Sequence, residues 1–196
     1  MTSITVFDII SGNIKTPLSE ITEFNASNCN IDDLKILNLS RFKKLRSLNI
    51  SKNRISNLEE IKFCPTIEYL DCSNCLLNNI DGINYCPNLE ILKMEENKTL
   101  FDEIKFDIIF NNLKEIQCNK CQIYSFKNLK NCPKLEILFC KSNRLRPSLL
   151  EEINNCPNLV EIDCSNNGIT KYHNYLEYYN KYIKNFHKLK FECSDS

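Results

Sequence analysis

The chain has 196 residues, 42% hydrophobic and 26% charged, enough for one domain and without a composition shift that would mark a second. Its 25 Lys and Arg balance 25 Asp and Glu, so no global field favours nucleic acid or an anionic membrane as a partner. With three glycines there is no Gly-rich phosphate loop.

The opening stretch, MTSITVFDIISGN, lacks the basic start and apolar run of a secretory signal, and no later stretch reaches the length of a membrane span. The expectation is a soluble, monomeric intracellular protein of the cytoplasm, with the nucleus open to it as well. Residues 1–20 read as an N-terminal cap. Ile4, Val6, Phe7, Ile9 and Ile10 supply apolar surface there and fit a strand period and a helix period equally.

From Ile21 a repeat takes over. Its clearest copy, Ile67-x-x-Leu70-x-Cys72-x-x-Cys75-x-Leu77, spaces apolar side chains by three, two, three and two residues. Alternation at Leu70 and Cys72 suits a strand with one buried face, and the wider steps need the chain to turn around that strand. The same offsets begin at Ile21, Leu45, Ile67, Leu89, Leu113, Leu135 and Leu159, successive starts lying 24, 22, 22, 24, 22 and 24 residues apart. One such unit cannot bury its own apolar edge, so the copies must stack.

The pattern resembles the leucine-rich repeat family, and its short period resembles the subclass found in a regulatory subunit of type-1 protein phosphatase. The resemblance covers roughly residues 21–170. It implies an α/β repeat solenoid: a curved, right-handed stack with a parallel β-sheet of seven strands on the concave face and short turns or helices on the convex face.

Two convex helices are expected. One follows the recurrence of Leu100, Ile104 and Ile108, and the other begins at Pro147 and presents Leu149, Leu150 and Ile153 on one side. From Lys171 the repeat stops, and Tyr172, Tyr175, Leu176, Tyr179, Ile183 and Phe186 share a helix face. Residues 171–196 therefore read as a helical C-terminal cap closing a single domain of 1–196.

Twelve cysteines suggest zinc, with Cys72-x-x-Cys75 and Cys118-x-x-Cys121 as the two halves of a site. The halves are two repeats apart, about 9–10 Å at strand spacing, whereas sulfurs on one zinc lie within roughly 4 Å of one another. A positional account fits better. Cys72, Cys118, Cys140 and Cys164 replace a core Leu, and Cys29, Cys75 and Cys121 occupy a position that Asn53, Asn97, Asn143 and Asn167 fill elsewhere. Cys64, Cys86, Cys132 and Cys156 each precede a proline that holds the cysteine extended. The expectation is core packing for all three sets and no metal or cofactor. His173 and His187 both fall in the cap, and no Cys–His nucleophile pair is apparent, so no catalytic residues are expected.

If Leu70 and Cys72 point inward, Tyr69 and Asp71 point outward onto the concave face. The same positions in other repeats select Ile91, Lys93, Gln117, Ile137, Phe139 and Asp163 as partner-binding candidates. Tyr69, Ile91, Ile137 and Phe139 are the expected anchors. Glu68, Asp71, Glu90, Glu95 and Glu96, opposed by Lys93, point to a partner that combines a hydrophobic side chain with basic residues. The function expected is a non-catalytic protein-interaction module. A regulatory or adaptor subunit of a partner enzyme, phosphatase-regulator-like or serving a ubiquitin ligase, is one alternative, and a cysteine-based metal or redox protein is another.

Overall fold

The computed structural model describes residues 3–98, 103–183 and 189–194. Eleven three-residue strands occur among them: β1 Ser3–Thr5, β2 Glu23–Asn25, β3 Ser47–Asn49, β4 Tyr69–Asp71, β5 Ile91–Lys93, β6 Glu103–Lys105, β7 Glu115–Gln117, β8 Ser125–Lys127, β9 Ile137–Phe139, β10 Glu161–Asp163 and β11 Lys190–Glu192. Nine of these form one parallel sheet in the order β1-β2-β3-β4-β5-β7-β9-β10-β11, while β6 and β8 pair separately. In each repeat the middle residue of the sheet strand enters the core, and Leu48, Leu70, Leu92, Ile116, Leu138 and Ile162 are completely buried. This is an α/β repeat solenoid.

The chain returns from each strand through compact turns, mostly single 3₁₀ turns such as Glu59–Phe63, Asp81–Tyr85 and Leu129–Asn131. Consecutive turns pack so closely that a Cβ on Gly82 would stand 2.3 Å from the Leu58 carbonyl oxygen. The helix expected after Pro147 is present as α2, Leu149–Ile153, with Leu149, Leu150 and Ile153 buried. Among the described residues no helix is long and apolar enough to cross a membrane.

Four expectations are corrected. The stretch containing Ile104 and Ile108 is no helix. Ile104 and Phe106 are buried and alternate with exposed Glu103, Lys105 and Asp107, a period-2 pattern that forms β6 against β8. The Phe106 ring then meets Phe110 edge-on at 5.9 Å, and Leu100 lies outside the described residues. The sheet has nine strands instead of seven because both caps add one. At the N-terminus β1 pairs with β2 and runs directly into α1, Val6–Ser11, so that segment is strand and helix in succession. Thr5 caps α1 reciprocally with Asp8: the Asp8 N–H donates to Thr5 Oγ1 at 3.2 Å and the Thr5 N–H donates to Asp8 Oδ2 at 2.7 Å. The C-terminal cap is only partly helical. Helix α3, Tyr175–Tyr178, passes into a wider π-helical turn at Tyr179–Ile183, and β11 then completes the sheet. Phe186 and His187 lie outside the described residues. The fourth correction is Cys29, which is exposed because no earlier repeat covers it.

From the second repeat on, a buried Asn or Cys ties one turn to the one before. Asn143 Nδ2 donates to the carbonyls of Cys118 and Cys140, both at 2.9 Å, while its Oδ1 accepts from the N–H groups of Cys121 at 2.8 Å and Ile123 at 3.1 Å. Asn53 does the same with Ala26, Ile50, Cys29 and Ile31. Where the residue is cysteine, the thiol reaches the equivalent carbonyl of the preceding turn: Cys75 donates to Ile50 at 3.4 Å and Cys121 to Met94 at 2.9 Å. The residue before this position is left-handed throughout, at Asn28, Lys52, Asn74, Glu96, Lys120, Ser142 and Asn166, with φ of 53–58°. Only the asparagines adopt that conformation readily, and for the others it costs about 1–2 kcal/mol each.

The cysteines preceding proline are buried, but in a more compact conformation than expected: Cys64, Cys86 and Cys132 have ψ of 61–70°. Each closes the return turn, its N–H bonding back to the residue three earlier and its carbonyl accepting the N–H that opens the next repeat. Burial pushes the Cys64 thiol up to about 11 and those of Cys86, Cys121 and Cys156 up to about 12. Burial also raises Cys72, Cys118 and Cys140 well above the ordinary thiol value.

Two predictions follow from this core. Adjacent substitutions should act in opposite directions in urea unfolding: Ser142→Gly should gain about 0.5–1 kcal/mol by relieving the left-handed strain, and Asn143→Ala should lose about 2–4 kcal/mol by orphaning buried backbone groups. Stability should also fall in alkali. The buried thiols stay protonated in the folded protein while those of the unfolded chain ionise near pH 9. The stabilisation is therefore complete below that pH and is lost up to the folded values, by at most about 1.4 kcal/mol per pH unit per thiol. Urea midpoints between pH 7.5 and 10.5 check the slope, which Cys86→Ala should make shallower.

Candidate functional site

The outward positions of the sheet form two rows in strict register. One runs through Ser47, Tyr69, Ile91, Glu115, Ile137 and Glu161, and the other through Asn49, Asp71, Lys93, Gln117, Phe139 and Asp163. All eight sequence-predicted residues, Tyr69, Asp71, Ile91, Lys93, Gln117, Ile137, Phe139 and Asp163, occupy these rows and are half-buried. Their arrangement is two apolar patches with a polar gap. Tyr69 neighbours Ile91, whereas Ile137 and Phe139 share β9, and β7 stands between with Glu115 and Gln117. Gln117 Nε2 donates to Glu115, fixing both side chains.

Each patch has a charge beside it. Lys93 Nζ lies 5.8 Å from the centre of the Tyr69 ring, a cation–π distance. Burial, then Asp71 and Glu115, raise the Tyr69 phenol above its ordinary value, so at neutral pH it keeps its proton and can donate it in a hydrogen bond. Phe139 stands next to Asp163 across the register.

The two aspartates also have a structural task. Asp71 Oδ1 accepts the Ser73 N–H at 3.0 Å, and Asp163 Oδ1 accepts from Ser165 N at 2.9 Å and Oγ at 2.5 Å. Asn49 treats Ser51 in the same way. These side chains cap the strand where it begins to turn.

The acidic field expected around Tyr69 and Ile91 is largely neutralised from neighbouring turns. Arg46 lies 3.3 Å from Glu68, Lys114 3.0 Å from Glu90 and Lys120 3.0 Å from Glu96. The hydrogen bond and charge of Lys120 hold the Glu96 carboxyl below its ordinary value. That leaves Asp71 and Glu95, and Glu95 accepts from Asn119 Nδ2 at 2.5 Å. The cations stand 22 or 24 residues from their partners, one repeat away, a spacing that could have revealed the pairing.

A third row was missed in the sequence. Ser73, Glu95, Asn119 and Lys141 lie two residues beyond the second row and line a shallow groove of about 400 Å³ at the carboxyl ends of the strands. Ser73 Oγ accepts the Glu95 N–H at 3.2 Å and Asn119 Oδ1 accepts the Lys141 N–H at 2.8 Å, so the row is linked from turn to turn. Its signal was the same offset carried one step further. Among the described residues, no group of three or more His, Cys, Asp or Glu side chains is placed to hold a metal ion.

No protein-family model and no curated protein matches the sequence. Solved structures do. Internalin C2 of Listeria monocytogenes aligns with a TM-score of 0.57 at 18% identity, over 91% of this chain and 82% of its own. Internalin F of the same species aligns with a TM-score of 0.47 at 17% identity, over 76% of this chain and 56% of its own. The likeness to internalin C2 establishes the fold as that of leucine-rich-repeat proteins.

The double task of the aspartates gives a prediction. Asp163→Ala should cost about 0.5–1.5 kcal/mol in urea unfolding through its lost turn bonds, whereas Lys93→Ala and Gln117→Ala should each stay within about 0.5 kcal/mol of the parent protein.

Proposed function

We propose that this chain is a non-catalytic protein-interaction module that captures one protein partner, as a monomer, on the concave face of its repeat stack. The observation that carries this reading is the pair of half-buried apolar patches, Tyr69 with Ile91 and Ile137 with Phe139, held in register on a backbone ladder that leaves them little freedom to lose. The partner combines hydrophobic side chains, one for each patch, with basic residues facing Asp71, Glu115 and Asp163. Lys93 beside the first patch and Gln117 in the gap between the patches add polar specificity.

A finer reading makes the chain a regulatory or adaptor subunit of a partner enzyme in the cytoplasm, in keeping with the short repeat and its phosphatase-regulator resemblance. As an account of the whole stack, the reading as a cysteine-based metal or redox protein has less support, since metal ligation and nucleophilic attack need thiolates and most of these thiols are buried and held protonated.

Affinity capture from the native cell, comparing the parent with a Tyr69→Ala, Phe139→Glu variant whose fold is verified by circular dichroism, tests the proposal. A partner whose binding weakens at least about 30-fold in the variant is the expected result, with further weakening at about 0.5 M salt. A partner held equally by both proteins overturns the concave-face assignment.

A further inference from the structure

The core position that follows each sheet strand changes character toward the C-terminal end of the stack. It is Ile50, Cys72 and Met94 in three successive repeats and then Cys118, Cys140, Cys164 and Cys193. Those four cysteines each follow one of four neighbouring strands directly, because Gln117 pairs with Phe139, Phe139 with Asp163, and Asp163 with Glu192. In-register residues of adjacent strands lie about 4.8 Å apart, inside the 4.4–6.8 Å range of Cα separations that a disulfide spans.

Accessibility separates the three possible pairs. Cys118, Cys140 and Cys164 are completely buried, so an oxidant in water cannot reach them. Cys193 directly follows the last strand of the sheet, β11, and is half-exposed. Backbone bonds on either side hold it in place: the Cys164 N–H donates to the Glu192 carbonyl and the Asn166 N–H to the Ser194 carbonyl, both at 2.8 Å. The Cys164 thiol donates to the Glu192 carbonyl at 3.3 Å, and the neighbouring Cys193 side chain, then burial, raise it above the ordinary thiol value. An accessible sulfur and a sheltered one therefore face each other at the end of the stack.

We propose that Cys164 and Cys193 are a redox modification site, forming a reversible disulfide that staples the terminal strand to the repeat stack. The oxidant is a low-molecular-weight disulfide of the glutathione class. The Cys193 thiolate attacks one of its sulfurs, giving a mixed disulfide and releasing one thiol. Cys164 then loses its proton to the solvent side and attacks the Cys193 sulfur, displacing the second thiol. The two protein sulfurs together give up two electrons, and one small disulfide is reduced to two thiols.

The staple would fix the strand that carries Lys190, whose ammonium lies 2.6 Å from Glu161 and 3.4 Å from Glu192. Oxidation thus sets the rigidity of one end of the concave face. This inference stands independently of what that face binds.

The test treats the full chain, with the exposed Cys29 changed by Cys29→Ser, with oxidised glutathione at pH 8. The expected result is loss of two titratable thiols, a Cys164–Cys193 cross-linked peptide in a non-reducing digest, and a thermal midpoint raised by roughly 5–10 °C, all reversed by dithiothreitol. Adding Cys193→Ser, a change at a half-exposed site, should abolish all three effects while the protein stays folded. A stable glutathione adduct on Cys193 with Cys164 still reduced, or a Cys193–Cys193 dimer, overturns the proposal.

Discussion

Asn53, Asn97, Asn143 and Asn167 each join two turns at a place where neither turn can satisfy its own backbone. The chain leaves a three-residue strand, bends sharply, and exposes carbonyl and amide groups toward the core with no regular ladder to receive them. An asparagine amide offers two donors and a two-lone-pair acceptor, and here it spans its own turn and the preceding one. Cys75 and Cys121 meet the same carbonyl with a single weak donor, and each is flanked by turns with the full amide. The fold tolerates the weaker residue because it never occurs in two successive turns between Asn53 and Asn167. The left-handed residue just before is the geometric counterpart of this ladder: it swings the Asn or Cys inward, and the hydrogen bonds gained offset the strain at Lys52, Glu96, Lys120 and Ser142.

Because each turn bonds its neighbour, the structure propagates in one dimension and its ends are the weak points. Both ends are closed by continuing the sheet with segments that do not obey the repeat. At one end Ile4 enters the core from β1, and at the other Phe191 packs against it from β11. In each case one inward residue between two outward ones is enough. That requirement is so slight that neither strand stood out in the sequence, where Ile4 belonged equally to a helical pattern and Phe191 had only Leu189 and Cys193 as apolar company.

The repeat itself was legible because its offsets are set by a rigid path. A residue that must fill the same space in every turn recurs every 22 or 24 positions whether it is Leu, Ile, Met or Cys, which is why the cysteines could be assigned to packing by position. The return side was less legible. Its elements are single turns or three-residue strands, shorter than any period they might display, so Leu100, Ile104 and Ile108 imitated a helix while Phe106 and Phe110 defined the packing. The left-handed column was hidden for another reason: Lys and Glu carry no compositional mark of that conformation, unlike the Asn and Gly that usually occupy it.

On the concave face, strand alternation alone identifies the outward positions, but not which of them the fold already uses. Alternation says where a side chain points and nothing about its hydrogen bonds. Asp71 and Asp163 point outward and yet close their own turns, while Glu68, Glu90 and Glu96 meet cations from the next or preceding repeat. Removing these from the tally leaves Tyr69, Ile91, Ile137 and Phe139 as large side chains on a rigid surface whose burial is incomplete and whose hydrogen-bonding neighbours are already satisfied. For such residues the remaining favourable step is to lose water against another surface, and incomplete burial, more than charge, is the property on which the proposed contact at this face rests.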